Sequence, residues 1–101
     1  MSMTIDYFHG QVKRIARIWL YSPVLKNNLN AISSALGSDT TTHTQVMQTP
    51  PSALKLGGAK GGANQISNKL RALVNRGKGG NLKNSDMATA INQVVIELAL
   101  P

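Results

Sequence analysis

The chain has 101 residues and no cysteine, and its 11 Lys and Arg outnumber its 4 Asp and Glu to give a net charge of +7. This length allows one small domain, residues 1–101, and the lack of cysteine excludes disulfides and thiolate metal sites. Hydrophobic residues make up 42% of the sequence and aromatic residues only 4%, which favours an all-α fold of three or four short helices over a β-sandwich. Without a membrane-length apolar stretch or a signal-peptide core, we expect a soluble cytoplasmic or virion-associated protein.

The first predicted helix covers residues 4–21 and is amphipathic. Gly10 lies inside it and costs roughly 1 kcal/mol relative to Ala, so we expect the first turns to fray or the helix to begin after this residue. Lys13, Arg14 and Arg17 project away from the apolar face. We expect that face to pack in the core, and binding to an anionic membrane surface is the less favoured alternative. The face contains Ile5, Phe8, Val12, Ile15, Ala16 and Trp19.

The second predicted helix follows Ser22, which can cap it, and starts with Pro23, which suits the first helical position. Gly37 can end the helix. Together with the first helix it is predicted to form an antiparallel helical hairpin over residues 5–36. Its apolar stripe consists of Leu25, Leu29, Ile32 and Leu36.

Residues 37–63 form a long connection that is rich in Thr, Pro and Gly and shows no sustained period. A structureless segment of this length is uncommon inside a compact domain, so it has either a function or hidden structure. We predict a flexible connection, and a short strand at residues 42–48 (THTQVMQ) is the alternative. The sequence does not indicate whether the connection becomes ordered on binding or assembly.

Residues 64–100 are predicted to form two shorter helices. Asn64 can cap the first of these and Gly77 can end it. After a glycine-rich loop at residues 78–84, Ser85 can cap the last helix, for which a strand at QVVIEL is the alternative. The apolar face of the third helix contains Ile66, Leu70, Leu73 and Val74, and that of the last helix contains Met87, Ala90, Ile91, Val94, Val95 and Leu98.

Two further apolar residues, Ile96 and Leu100, lie off the main face of the last helix. This helix therefore has apolar side chains on more than one side, which predicts a subunit contact and a homo-oligomer. The alternative is that both residues cover the first helix within a monomer.

The basic residues concentrate in the middle of the chain, where no acidic residue occurs between Asp39 and Asp86. Two Lys-Gly-Gly triplets, at residues 60–62 and 78–80, bracket the third helix. Glycine lets backbone N–H groups approach an anion, Lys supplies charge, and a helix N-terminus favours phosphate. Each triplet alone is more often a flexible linker, and only the lack of acids favours a phosphate site. The candidate nucleic-acid-binding residues are Lys55, Lys60, Gly61, Gly62, Lys69, Arg71, Arg76, Lys78, Gly79, Gly80 and Lys83.

Catalysis finds little support in the sequence. His9 and His43 are the two histidines, and no motif brings them together as an acid–base pair. Ala63 and Asn64 follow the glycine pair at the position where a nucleotide-binding P-loop requires Lys and Ser or Thr. We therefore predict no enzymatic activity, no catalytic residue, no metal site, no cofactor and no small-molecule substrate.

The predicted function is that of a small basic nucleic-acid-binding protein that contacts phosphates without sequence preference. No helix-turn-helix, zinc-finger or RNP signature supports the readout of bases. Two alternatives stay open. One is a structural or assembly protein, such as a virion or filament subunit, whose apolar helices pack between copies. The other is a secreted or intercellular toxin that acts on RNA or membranes.

Overall fold

The computed structural model describes residues 3–18, 20, 23–37 and 62–100. In these residues the chain forms four α-helices and no strand, which confirms the predicted all-α fold. No helix in these ranges combines the length and the hydrophobicity that crossing a bilayer requires. The helices are α1 (Ile5–Arg17), α2 (Pro23–Gly37), α3 (Gly62–Gly79) and α4 (Asn84–Glu97).

Several sequence predictions concern residues outside the described ranges. These include Trp19 on the predicted apolar face, Ser22 as the predicted cap, and residues 38–61 of the predicted connection with its alternative strand. The side chain of Ile66 also lies outside the described part of the chain.

Helix α1 begins at Ile5 because Thr4 caps it. The backbone N–H of Tyr7 donates a 3.1 Å hydrogen bond to Oγ1 of Thr4, which satisfies one of the free N–H groups of the first turn. The helix runs from Ile5 through Gly10, so the predicted start after Gly10 is wrong, and the alternative that the first turns fray stays a prediction. The cap and the complete burial of Phe8 outweigh the low helix propensity of a single glycine.

Helix α2 buries the stripe that its period predicts, since Leu25, Leu29, Ile32 and Leu36 are each at most 2% exposed. Asn28 lies in the same stripe and is fully buried, and neither Oδ1 nor Nδ2 has a hydrogen-bond partner among the described residues. Ser33 is also buried, but its hydroxyl donates a 3.1 Å hydrogen bond to the carbonyl oxygen of Ala88 on α4. This bond ties α2 to α4.

Helix α3 begins and ends at different residues from those predicted. It begins at Gly62, before the predicted cap Asn64, because Ala63 is a strong helix former that extends the helix toward the N-terminus. It continues past Gly77 to Gly79, and the chain turns at Asn81, where φ is 72°. The N–H of Leu82 donates to the carbonyl oxygen of Gly77 at 2.9 Å, and the N–H of Asn81 donates to that of Lys78 at 3.2 Å. These two hydrogen bonds define a Schellman motif. Asparagine tolerates this left-handed conformation, so Asn81 ends the helix instead of a glycine.

Gly77 is buried within α3 for a packing reason. A Cβ atom at this position would lie 2.7 Å from Sδ of Met87, 3.3 Å from Cδ1 of Leu82 and 3.5 Å from Cδ2 of Phe8. The missing side chain therefore lets α3 approach the neighbouring elements closely. The predicted loop at 78–84 is correspondingly shorter, because α3 extends to Gly79 and α4 begins at Asn84.

Helix α4 starts before the residue that was predicted to cap it. Lys83 has the extended backbone of an N-cap residue but makes no side-chain capping bond. Ser85 lies inside the helix, where its carbonyl oxygen accepts a 2.9 Å hydrogen bond from Oγ1 of Thr89. The alternative of a strand at QVVIEL is wrong, because this segment continues α4.

The C-terminal end of α4 turns Leu100 back into the core. Ala99 has a φ of 50°, its N–H donates to the carbonyl oxygen of Ile96 at 3.1 Å, and the N–H of Leu100 donates to that of Val95 at 3.3 Å. These two bonds form a second Schellman motif. Leu100 is therefore only 6% exposed, and its predicted place in a subunit contact is wrong. Ile96, by contrast, is 71% exposed.

The helices pack around α4, which contacts α2 most extensively and α1 next. Helix α3 packs mainly against α1 and then against α2. Helices α1 and α2 barely contact each other, so the predicted hairpin over residues 5–36 is wrong. The physical reason is that α4 buries side chains on two sides, with Ala88 among them, and each of the first two helices covers one of these sides. The core contains Phe8, Val12, Ala16, Leu25, Leu29, Ile32, Leu36, Leu70, Leu73, Val74, Met87, Ala88, Ala90, Ile91, Val94 and Leu100.

Candidate nucleic-acid interface

A shallow groove of about 390 Å³ lies between α1 and α3. Each helix contributes residues at steps of three and four, which the helical period places on one side. Arg14, Lys69 and Arg76 are exposed there, and none of the described residues that line the groove is acidic. We call this surface the basic groove. Its lining consists of Gln11, Arg14 and Ile15 from α1, Ile18 directly after this helix, and Lys69, Ala72, Leu73 and Arg76 from α3.

The two helices hold the basic groove through buried residues next to its lining. Val12 and Ala16 anchor α1, and Leu70 and Val74 anchor α3, with each of these side chains at most 1% exposed. The cationic residues occupy positions beside these buried residues. There the aliphatic part of a Lys or Arg side chain can pack against the apolar surface while its charged group stays in water. The core therefore fixes the backbone positions from which these cationic side chains project.

The acidic residues of the described chain lie away from the basic groove. Asp6 and Asp86 line a different depression, between α1 and α4. Glu97 is engaged by His9 and by Lys13, whose Nζ lies 3.2 Å from Oε2 of Glu97. The positive field at the groove is thus not cancelled by a neighbouring carboxylate of the described residues.

Some predicted site residues do not line the groove. Lys69 and Arg76 share one side of α3, whereas Arg71 and Lys78 are seven residues apart on the opposite side. Lys83 is exposed at the start of α4. Lys55, Lys60 and Gly61 lie outside the described residues, and Gly62 is the first residue of α3.

The second Lys-Gly-Gly triplet forms a helix end and not an anion loop. Lys78 and Gly79 belong to the last turn of α3, where free carbonyl groups and the negative end of the dipole disfavour phosphate. The N–H of Gly80 donates to the carbonyl oxygens of Arg76 at 2.9 Å and Gly77 at 3.1 Å. A Cβ atom on Gly80 would lie 2.9 Å from the backbone nitrogen of Met3, so this glycine allows a close backbone approach.

Sequence reasoning missed Arg14 as a member of the site. The sequence pattern indicated only that the basic residues of the first helix face solvent, and a period on one helix does not show which other helix lies beside it. The available signal was the pattern of Gln11, Arg14, Ile15 and Ile18, which places polar and apolar side chains on one side of α1. A mixture of polar and apolar side chains on one side of a helix is typical of the boundary between its buried side and its exposed side.

The histidines give no acid–base pair in the described structure. Nε2 of His9 bonds to Oε1 of Glu97, and His43 lies outside the described residues. Among those residues no group of three His, Asp or Glu side chains is arranged to hold a metal ion. Comparison of the chain with protein-family models, with curated proteins and with solved structures gave no match.

Proposed function

We propose that this protein binds nucleic acid through phosphate contacts in the basic groove, without reading base sequence. The observation that supports this proposal is the convergence of Arg14, Lys69 and Arg76, from two helices, on one groove whose described lining has no carboxylate. Guanidinium and ammonium groups bind phosphate oxygens by charge-assisted hydrogen bonds. The net charge of +7 adds long-range attraction to a polyanion.

The composition of the groove also favours binding without sequence preference. Its described lining contains no aromatic side chain on which a base can stack, and Gln11 is the one uncharged residue with a hydrogen-bonding side chain. Phosphate contacts position a nucleic acid but carry no direct sequence information. Affinities for unrelated sequences should therefore be similar and should fall steeply as salt rises.

The experiment compares two variants with the same change in net charge. Arg14→Gln/Arg76→Gln removes one cation from each side of the groove. Arg17→Gln/Lys26→Gln removes two cations that do not line the groove. Each protein is titrated against one random-sequence oligonucleotide at several salt concentrations, and circular dichroism checks that the helices are retained.

We expect the slope of log affinity against log salt, which is negative, to fall in magnitude by about 0.7–0.9 in the groove variant for each phosphate that it no longer neutralises. The magnitude of the slope should change much less in the control variant, because the two cations it lacks act only through the long-range field of the protein. Equal slopes for the two variants would contradict the assignment of the groove. If the wild-type protein does not bind at low salt, the nucleic-acid proposal is wrong and an assembly protein becomes the favoured alternative.

A further inference from the structure

Phosphate binding uses the cations of the basic groove but leaves its apolar side chains without a role. Ile18 is 57% exposed and lies beside the partly buried Ile15. An apolar rim next to Arg14 is poorly suited to a phosphate alone. Such a mixture of apolar and cationic side chains instead fits a protein surface that is both apolar and acidic.

A surface of this kind exists on the same chain, between α1 and α4. Asp6 and Asp86 are both exposed there and line a depression of about 330 Å³ together with Ile5, which is 37% exposed. Ile96 is 71% exposed and follows Thr89 by seven residues, so it lies on the same side of α4. We call this surface the acidic flank, and it consists of Ile5, Asp6, His9, Asp86, Thr89, Ala90 and Ile96. The imidazole of His9 is paired with Glu97, so the two aspartates set the charge of the flank.

The basic groove and the acidic flank lie on opposite sides of α1. At about 100° per residue, Arg14 and Ile18 lie roughly half a turn away from Ile5 and His9, which line the depression of the acidic flank, whereas Asp6 is only about 80° from Arg14. The buried residues Phe8 and Val12 lie between the two surfaces, facing the core. A second copy can therefore dock its acidic flank into the groove without meeting the acidic flank of the first copy.

We infer that, without nucleic acid, the basic groove binds the acidic flank of a second copy of this chain. The contact joins two different surfaces, so it is head-to-tail and leaves one free groove and one free flank on each assembly. Successive copies add until a ring closes or a filament grows. This inference rests on the proposed function in one respect: nucleic acid and the second copy compete for the same groove. Self-association therefore regulates the access of nucleic acid to the groove.

The net charge of +7 opposes association, but its range is short at physiological salt. The Debye length there is about 8 Å, so charges on the far sides of two copies are largely screened. Pairs that touch across the contact, such as Arg14 with an aspartate, are screened less. We therefore expect weak association that is retained at physiological salt and that is driven partly by Ile18 and Ile96.

The test uses two variants of the full chain that each damage one surface by one charge and one apolar side chain. Arg14→Gln/Ile18→Ser alters the groove, and Asp86→Asn/Ile96→Ser alters the flank. All four residues are exposed, so the fold should be retained, as circular dichroism will check. Sedimentation velocity measures the wild-type protein, each variant alone and an equimolar mixture of the two variants.

We expect the wild-type protein to associate with rising concentration and each variant alone to associate roughly 2- to 30-fold more weakly. The mixture should form a dimer and then stop, because it pairs the intact flank of one variant with the intact groove of the other. Adding an oligonucleotide should dissociate the wild-type assembly, and the flank variant should bind that oligonucleotide at least as tightly as the wild-type protein does.

Three results would overturn the inference: a monomeric wild-type protein at roughly 100 µM, a mixture no more associated than its separate components, or an assembly that persists when the oligonucleotide is bound. None of these affects the proposed function, which the salt slopes test separately. Conversely, if the mixture forms a dimer but no variant or wild-type protein binds the oligonucleotide, the contact is supported. Its role in regulating nucleic-acid binding is then wrong.

Discussion

Nε2 of His9 lies 2.8 Å from Oε1 of Glu97, although the two residues are 88 positions apart in the chain. The other carboxylate oxygen of Glu97 lies 3.2 Å from Nζ of Lys13. The two partners share one side of α1, so a single carboxylate at the end of α4 ties this helix to two successive turns of α1. The hydrogen bond from Lys13, and then the one from His9, lower the pKa of Glu97 from its ordinary value of 4.5, and partial burial opposes them.

The lowered pKa predicts how Glu97 affects stability as pH changes. A carboxyl group with a lower pKa in the folded state contributes stability above its unfolded pKa and loses it as pH falls through the folded pKa. Glu97→Gln should therefore lower the thermal midpoint modestly near neutral pH, and the difference from wild type should disappear at pH values well below 4.5. Thermal unfolding followed by circular dichroism at several pH values measures this.

The control for Glu97 is a double-mutant cycle with Lys13→Met. If the ion pair carries the effect, Glu97→Gln should change the midpoint less in the Lys13→Met background than in the wild-type protein. An effect of Glu97→Gln that is equal at all pH values would mean that the carboxylate does not stabilise the fold through its charge.

Gly77→Ala should destabilise the protein although alanine favours helices more than glycine does. The new methyl group would lie 2.7 Å from Sδ of the fully buried Met87, and overpacking of this kind costs about 1–3 kcal/mol. The gain in helix propensity is about 1 kcal/mol at most. We therefore expect a net loss of up to about 2 kcal/mol in the free energy of unfolding, measured by urea denaturation.

Gly79→Ala is the matched control, because a Cβ atom at Gly79 has nothing within 4 Å and the residue is exposed in the same helix. This change should be neutral or stabilising by up to about 1 kcal/mol. If Gly77→Ala stabilises the protein as Gly79→Ala does, the side chain of Met87 moves aside to accommodate the new methyl group.

Ala99→Gly should stabilise the protein, because Ala99 holds a φ of 50°. The left-handed conformation costs a residue with a Cβ atom roughly 1–2 kcal/mol, and glycine avoids this cost while losing some entropy on folding. We expect a gain of about 0.5–1 kcal/mol in the free energy of unfolding, measured by urea denaturation. A loss of stability would show that the turn that directs Leu100 into the core does not form in solution.

The periodic pattern of apolar residues predicted which side of each helix is buried, except at Ile5, which was predicted on the buried face of α1 but is 37% exposed at the first turn. Leu25, Leu29, Ile32 and Leu36 repeat at helical steps, and burial of one side requires no knowledge of what covers it. The same pattern does not show which helix provides the cover. The predicted hairpin of the first two helices was therefore wrong, because α4 separates them, and neither Ala88 nor the bond from Ser33 to its carbonyl oxygen was predicted.

Helix ends and the candidate site were predicted less well, for a related reason. Gly77 was predicted to end α3 because glycine often ends helices, but tertiary packing uses it for close approach. The cations Lys69 and Arg76 were predicted as site residues from the lack of nearby acids in the sequence. Arg14 was not, because its part in the groove depends on the packing of α1 against α3.

The last prediction concerns Asn28, a polar residue in the centre of the α2 stripe. Its side chain is 0% exposed, and both polar atoms lack a partner among the described residues. A buried amide without hydrogen bonds costs about 1–3 kcal/mol. Leucine has nearly the same shape, so Asn28→Leu should raise the free energy of unfolding by about 1–3 kcal/mol.

The matched control is Asn30→Leu, because Asn30 lies on the same helix and is exposed. It makes the same gain in helix propensity, of about 0.5 kcal/mol, without removing a buried polar group. Urea denaturation of both variants therefore separates the effect of burial from that of propensity. A gain in the free energy of unfolding at position 28 that is no larger than the gain at position 30 would contradict an unsatisfied amide. A loss at position 28 would mean that Asn28 makes hydrogen bonds in solution, because replacing a satisfied amide by leucine is unfavourable.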